Sequence, residues 1–247
     1  MRWIVGDIQG CARELELLLA QIRFDPSVDE LWAAGDLINR GPDSLAAVRL
    51  WRDVGGRGVI GNHEVYALCA RSGAWPRKRD TLDALFAADD ADDLLARLRA
   101  LPALVHLPAV GLGPEAWLVH AGLHPQWHDL HSVAKALDAS PHDDTWLTSD
   151  EISFATRVRV CTRDGTRGKF EGAPTGCPPP FFPWDTFYAG TARVVHGHWA
   201  WRGHYRAGEV MGLDSGCVYG GALTAWCQDE DRVVAIPSTT GRTFVPT

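Results

Sequence analysis

The chain has 247 residues, 46% of them hydrophobic, with a formal net charge of −7. It is long enough to bury a full core, and its acidic balance argues against a broad basic face for polymeric nucleic acid while leaving room for a small anionic substrate. No apolar run approaches the ~20 residues of a membrane helix, so no membrane partner is expected.

Residues 3–5 read as a buried strand running directly into Gly6-Asp7. Such a start is unlike a signal peptide and sets the expectation of a cytoplasmic protein. Residues 31–34 and 59–60 read as two further strands. Leu15, Leu18, Leu19 and Ile22, then Leu45, Val48 and Trp51, recur at helical spacing between them, giving a βαβαβ front half. Ser44, after Pro42-Asp43, marks a helix start. A helical segment follows at about 79–101. Its acidic run, 89–93, is better read as a helix cap and first turn than as a cation site.

The back half changes character. Residues 117–119, 158–161, 194–195, 210–213, 223–226 and 233–236 are short strand-like runs between glycine and polar turns, as if a second sheet closed on the first. Residues 172–184, with Cys177-Pro178-Pro179-Pro180, read as an irregular lip rather than a linker, and 1–247 as a single domain. The six cysteines, Cys11, Cys69, Cys161, Cys177, Cys217 and Cys227, form no C-x-x-C pair, which predicts free thiols in a reducing compartment.

Chemistry concentrates in five motifs. Gly6-Asp7-Ile8-Gln9-Gly10, Gly35-Asp36-Leu37-Ile38-Asn39-Arg40-Gly41-Pro42 and Gly61-Asn62-His63-Glu64 each follow a strand and precede a helix. They lie roughly 30 residues apart, the span of a βαβ unit. Their polar side chains therefore converge on one crevice at the strand ends. Val119-His120-Ala121-Gly122-Leu123 and Val195-His196-Gly197-His198-Trp199 add histidines just beyond two further apolar runs. Any one of these side chains alone would be ordinary loop chemistry. Together they offer oxygen and imidazole donors, a set suited to Mn²⁺, Co²⁺, Fe²⁺ or Zn²⁺.

The ordered set resembles the metallophosphoesterase superfamily, in its branch related to serine/threonine protein phosphatases. The resemblance implies an α/β fold, the calcineurin-like four-layer sandwich of two mixed β-sheets flanked by helices. It implies that Asp7, Gln9 and Asp36 hold one divalent metal and that Asp36 bridges to a second completed by Asn62, His120 and His198. It also implies that Arg40 grips a phosphate and that His63 acts as general acid or orients the leaving group. Two such cations about 4 Å apart can ionise a bridging water for in-line attack at phosphorus.

A closer match spans most of the chain. Trp32 to Leu37, Gly41 to Leu45, Ala91 to Leu95 with Leu98-Arg99, His120 to Trp127, Gly197 to Ala200 and Leu213 to Gly221 are similar to the symmetrical bis(5'-nucleosyl)-tetraphosphatases. That branch splits diadenosine tetraphosphate into two ADP, so a dinucleoside polyphosphate becomes the expected small-molecule partner. Thr156-Arg157-Val158-Arg159 resembles a segment supplying a second phosphate-binding arginine, and on a strand both arginines would face one side. Asp214, Asn39, Trp127 and Trp199 complete the expected substrate contacts, with Trp201 a further residue able to stack on a base.

Three departures matter. Gln9 stands where the superfamily usually has a histidine, which loosens the first metal and favours Mn²⁺. Asn39 stands where protein phosphatases have an aspartate, which makes His63 a poorer proton donor. That handicap counts little when the leaving group is ADP, whose terminal phosphate has a last pKa of ~6. The stretch 127–154 is shorter than the helical insert of that branch, which bears on nucleoside specificity. The alternatives are a phosphomonoesterase, phosphoprotein phosphatase or RNA-cap-removing relative with the same chemistry, or a nucleotide sensor with a decayed metal centre.

Overall fold

The computed structural model describes residues 1–139 and 142–241. Strands β1 (Arg2–Val5), β2 (Glu30–Ala33) and β3 (Arg57–Gly58) alternate with helices α1 (Ala12–Gln21) and α2 (Ser44–Asp53) and run parallel. Helices α3 (Asn62–Ser72), α4 (Asp83–Phe86) and α5 (Ala91–Arg99) follow. Strands β4 (Leu104–Leu107) and β5 (Ala116–Val119) come next, then α6 (Leu130–Asp138), α7 (Asp144–Leu147) and α8 (Asp150–Arg157). The remaining strands are β6 (Val160–Cys161), β7 (Phe182–Pro183), β8 (Arg193–His196), β9 (Tyr205–Ala207), β10 (Val210–Gly212), β11 (Asp214–Ser215), β12 (Ala222–Cys227) and β13 (Arg232–Pro237).

Two mixed sheets result. One has the order β11-β12-β1-β2-β3, with β13 also on β12; the other has the order β4-β5-β8-β10-β9. The central strands β1 and β5 are buried on both faces because each face is covered. Along β1, Trp3 and Val5 point to the helix-covered core while Ile4 points between the sheets. Along β5, Trp117 and Val119 likewise face outward, and Ala116 and Leu118 inward. The inner layer also takes Val195, Met211, Leu213 and Trp226. Period-two alternation between two apolar layers makes such strands read as continuous hydrophobic runs.

The predicted α/β sandwich is therefore present, and the front half follows its βαβαβ expectation. Asp43 caps α2, accepting from the Ala46 N–H at 2.8 Å, so Ser44 is the first helical residue. In the acidic run, Asp92 and Asp93 occupy the first turn of α5 as expected, whereas Asp90 accepts from Arg49 and Arg52 across the surface. Two strand expectations shift. β3 is Arg57–Gly58 rather than 59–60, and of the run 158–161 Val160–Cys161 alone forms β6, with Thr156 and Arg157 ending α8. The acidic first turn of Asp150 and Glu151, capped by Ser149, dictates the helix. The lip at 172–184 is irregular apart from a short 3₁₀ turn at Pro174–Gly176 and β7 at Phe182–Pro183. All six cysteines are free thiols. Among the described residues no helix is long and apolar enough to cross a membrane.

Candidate active site

Five loops at the strand ends carry the five motifs to one place. Asp7 and Gln9 follow β1, Asp36 to Arg40 follow β2, and Asn62 opens α3 beyond β3. His120 follows β5 and His198 follows β8. Donor atoms of Asp36, His120 and His198 lie within 4.8 Å of one another, all buried. Asp7 joins them from β1, its Oδ1 accepting the His198 backbone N–H at 2.9 Å.

The backbone is forced into this arrangement. Of eight non-glycine residues with positive φ among the described residues, five belong to these loops: Gln9, Asp36, Asn39, Arg40 and His198. Such conformations persist where the surroundings over-determine them. Gly197 shows how tightly the loops pack, since a Cβ there would lie 2.0 Å from Asp7 Oδ1. Glu64 supplies much of the clamp. Its carboxylate accepts the backbone N–H groups of Asp36 and Leu37 at 2.8 Å and of Gly61 at 2.9 Å. Burial and the Asp36 charge push its pKa up to about 8 against those donors. The sequence reading gave Glu64 no role, although it closes the Gly61-Asn62-His63-Glu64 motif.

The hydrogen-bond pattern tests whether a cation fits. His120 Nδ1 lies 2.7 Å from the Ala34 carbonyl oxygen, which accepts a proton and fixes Nδ1 as the protonated nitrogen. Burial lowers the pKa of His120 despite the opposing Asp36 charge, so the ring is neutral and its Nε2 carries a lone pair. That lone pair faces Asn62 Oδ1 at 3.2 Å and Asp36 Oδ1 at 3.4 Å. Three acceptors meet with no proton between them. Buried Asp7 Oδ2 and His198 Nε2 have no hydrogen-bond partner either. A divalent cation satisfies such a set, and its oxygen and imidazole character suits a borderline or hard ion. Gln9 donates from Nε2 to Asp36 Oδ2 at 3.2 Å, which leaves its carbonyl oxygen for the first position.

Electrostatics agree that the acceptor set suits positive charge. Burial, then the charges of Asp214 and Asp36, push Asp7 well above the usual carboxylate range. Burial pushes Asp36 up too, but neighbouring His120 and His63 outweigh it and hold it below that range. Asp214, beside Asp7, rises to about 6 through burial. Burial and the Arg159 charge take His198 well below an ordinary histidine.

His63 is held differently. Asn39 Oδ1 accepts the Arg40 N–H at 2.8 Å and the Thr81 N–H at 3.2 Å. Its amide nitrogen must then face His63 Nδ1, which it does at 2.9 Å. That contact makes Nδ1 an acceptor and places the single ring proton on Nε2. Burial lowers the pKa of His63 further, so it stands as a neutral hydrogen-bond donor.

These loops open onto a cavity of about 1120 Å³ lined by Asp36, Asn62, His63, Arg40, Arg157 and Arg159, among others. Arg157 ends α8 and Arg159 lies two residues on, yet both reach the cavity. Arg159 donates from Nη2 to the His198 carbonyl at 3.3 Å, and its buried Nε has no partner. Asp214 and Tyr219 line the same wall.

Two expected aromatic contacts lie elsewhere. Trp127 packs with His124 and Phe154, outside the lining of the cavity. Trp199 is 2% exposed, and its indole N–H is spent on the Gly172 carbonyl at 3.0 Å. Trp201 lines the cavity instead. None of the described residues between 127 and 154 does, and residues 167–171 line it.

Comparisons with known proteins agree with the geometry. A relative from Thioalkalivibrio sulfidiphilus, 37% identical over 90% of this chain and 93% of its own, is named a symmetrical bis(5'-nucleosyl)-tetraphosphatase. One from Aromatoleum aromaticum, 38% identical over 95% and 96%, carries the same name. A crystal structure provisionally described as a diadenosine tetraphosphatase matches with a TM-score of 0.72 at 31% identity, over 97% of this chain and 94% of that one. A protein serine/threonine phosphatase from Saccharomyces cerevisiae, with a TM-score of 0.55 at 13% identity, shares the fold over 96% of this chain and 79% of its own. The family model for calcineurin-like phosphoesterases matches residues 2–202, and this chain belongs to that family of metallophosphoesterases.

Proposed function

We propose that this chain hydrolyses dinucleoside tetraphosphates at the central anhydride, converting diadenosine tetraphosphate and water into two ADP. The observation that carries this reading is the buried meeting of Asp36, Asn62 and His120 acceptors at the floor of a cleft walled by arginines. The names borne by the relatives support the substrate.

In this reading Asp7, Gln9 and Asp36 hold one divalent ion and Asp36, Asn62, His120 and His198 a second, Mn²⁺ first among Mn²⁺, Co²⁺, Fe²⁺ and Zn²⁺. When bound, the pair supplies a water ionised near neutral pH and positive charge against the reacting phosphoryl oxygens. Arg40 anchors the phosphoryl group under attack, and Arg157 and Arg159 hold the neighbouring phosphates. His63 donates the hydrogen bond of its Nε2–H to the departing oxygen. A neutral imidazole does not pass on that proton, and none is needed, because ADP leaves as a stable anion with a last pKa of ~6. The new P–O bond forms from water as the central P–O–P bond breaks, and its electron pair leaves with the second ADP.

The whole of 1–247 acts as one unit in this reading. Strands β10 and β12 lie beyond the 2–202 family match, yet sit inside the two sheets. Chromatography of products from diadenosine tetraphosphate with the Mn²⁺-loaded protein tests the proposal, with ADP as sole product expected. ATP with AMP would overturn the central cut. A clear preference in kcat/KM for a phosphopeptide or p-nitrophenyl phosphate would move the substrate to monoesters.

A further inference from the structure

The cleft carries more positive charge than a single phosphate requires. Beyond Arg40, Arg157 and Arg159, its lining includes Arg167 and Lys169 from the segment after β6. The chain as a whole is acidic at −7, so this concentration is local. Glu171 is the one acid among the lining residues 167–171 and offsets part of it.

The segment is anchored so that these side chains face the cleft. Gly168 donates its N–H to the Val160 carbonyl at 2.9 Å, and a Cβ there would meet the Phe181 ring at 2.8 Å. Gly168 leaves no room for a side chain on the Phe181 side, and it lines the cavity between Arg167 and Lys169. Arg167 keeps one tie, from Nη1 to the Ser153 carbonyl at 3.3 Å.

An aromatic wall stands beside them. Phe170 and Trp201 are half-buried and line the same cavity. Phe170 packs edge-on against Trp199, with centroids 6.5 Å apart at 84°. The turn presenting Trp201, Ala200–Arg202, is braced by Arg202, which pairs with both oxygens of Asp185 at 2.8 Å. The Arg202 guanidinium also lies 3.7 Å from the Tyr205 ring centroid.

Two cations and two aromatic rings lining one cavity with Arg159 suit a phosphate chain ending in a nucleoside. We propose that Arg167, Lys169, Phe170 and Trp201 form a nucleoside-diphosphate subsite, the cations holding the phosphates beyond the bond cut and the aromatic wall carrying the base. This deepens the tetraphosphatase reading and rests on it for the position of the cut. Beyond Trp201, sequence gave little signal, because Arg167-Gly168-Lys169-Phe170 has the composition of an ordinary loop.

Calorimetric binding of ADP and of inorganic pyrophosphate to the metal-loaded protein decides it. Phe170→Ala and Trp201→Ala should each raise the Kd for ADP about tenfold, about 1.4 kcal/mol, and leave pyrophosphate unchanged. Trp201→Phe should restore ADP binding, which separates stacking from misfolding. The double variant R167A/K169A should weaken both ligands and flatten the salt dependence of binding. Unchanged ADP affinity in the aromatic variants, or equal losses for ADP and pyrophosphate, would overturn the subsite. A wild-type protein that binds ADP through these residues but releases none from diadenosine tetraphosphate would sink the hydrolytic reading and leave the subsite standing.

Discussion

The floor of the cleft and its rim are built on opposite plans. On the floor, Asp36 accepts from His63 N–H and Gln9, its own backbone is clamped by Glu64, and its φ is positive. At the rim, Lys169 is exposed and Phe170 leans on one neighbouring ring. Asp36 is thus fixed by several partners at once, whereas Lys169 stands in solvent. Chemistry demands positions good to a fraction of an ångström, while recognition of a flexible chain tolerates slack. The comparison predicts large, all-or-none effects below and graded ones above.

Asp36→Asn should give the largest effect. It removes the charge shared by both halves of the acceptor cluster. Turnover should fall by more than the ~10²–10³-fold lost with a single oxyanion-hole donor. Elemental analysis should find metal stoichiometry reduced together with rate; full occupancy and full activity would dissolve the distinction between floor and rim.

Gly197→Ala probes the floor without touching a polar group. Its Cβ would collide with Asp7 Oδ1, placed 2.0 Å away. A displaced Asp7 should lower kcat about 10²-fold, in line with a misplacement near 1 Å. Overpacking should also cost about 1–3 kcal/mol, visible as a lower Tm. An unchanged Tm with normal kcat would show the loop to be more yielding than its contacts suggest.

Asn39→Asp changes chemistry at constant shape. The new carboxylate can still accept the Arg40 and Thr81 N–H groups, but now also accepts a proton from His63 Nδ1. His63, held below its usual pKa by burial, should then titrate at higher pH. Hydrolysis of an alkyl phosphate should rise roughly tenfold, a fraction of what general acids supply, and the gain should fade as pH climbs past that pKa. Diadenosine tetraphosphate turnover should barely move. Equal gains on both substrates would mean that ADP also departs with a proton.

Trp127→Phe should have the smallest effect. The ring packs with His124 and Phe154, so about 1 kcal/mol of stability should go while kcat/KM stays within about twofold. A large rise in KM would return Trp127 to the substrate.

Much of the floor was legible because it is written in short local patterns. A strand, a glycine, an aspartate and a helix fix where Asp7, Asp36 and Asn62 must stand, and the order of the motifs supplies His120 and His198. The rim was not legible, because Gly168 acquires its meaning from Phe181, which reaches it through tertiary packing. Trp199 misled for a related reason: the positive φ at His198 turns successive side chains apart, so adjacency in sequence did not mean adjacency in the cleft. The run 158–161 holds as a strand at Val160–Cys161 alone, because the helix started by Ser149, Asp150 and Glu151 runs on to Arg157. Strands β4, β9 and β11 escaped notice because they are short and carry polar or exposed residues.

The pairing of β1 with β12 bears on how this molecule is born. Trp3, Ile4 and Val5 lie against Cys227, Trp226 and Ala225, and the Gly6 N–H reaches the Thr224 carbonyl at 2.9 Å. During synthesis on the ribosome, the loop bearing Asp7 waits for a strand made more than two hundred residues later. Pairing across such a separation is slow to find. A nascent or truncated polypeptide that stops short of β12 thus lacks the strand that lies beside β1 at the root of the Asp7 loop.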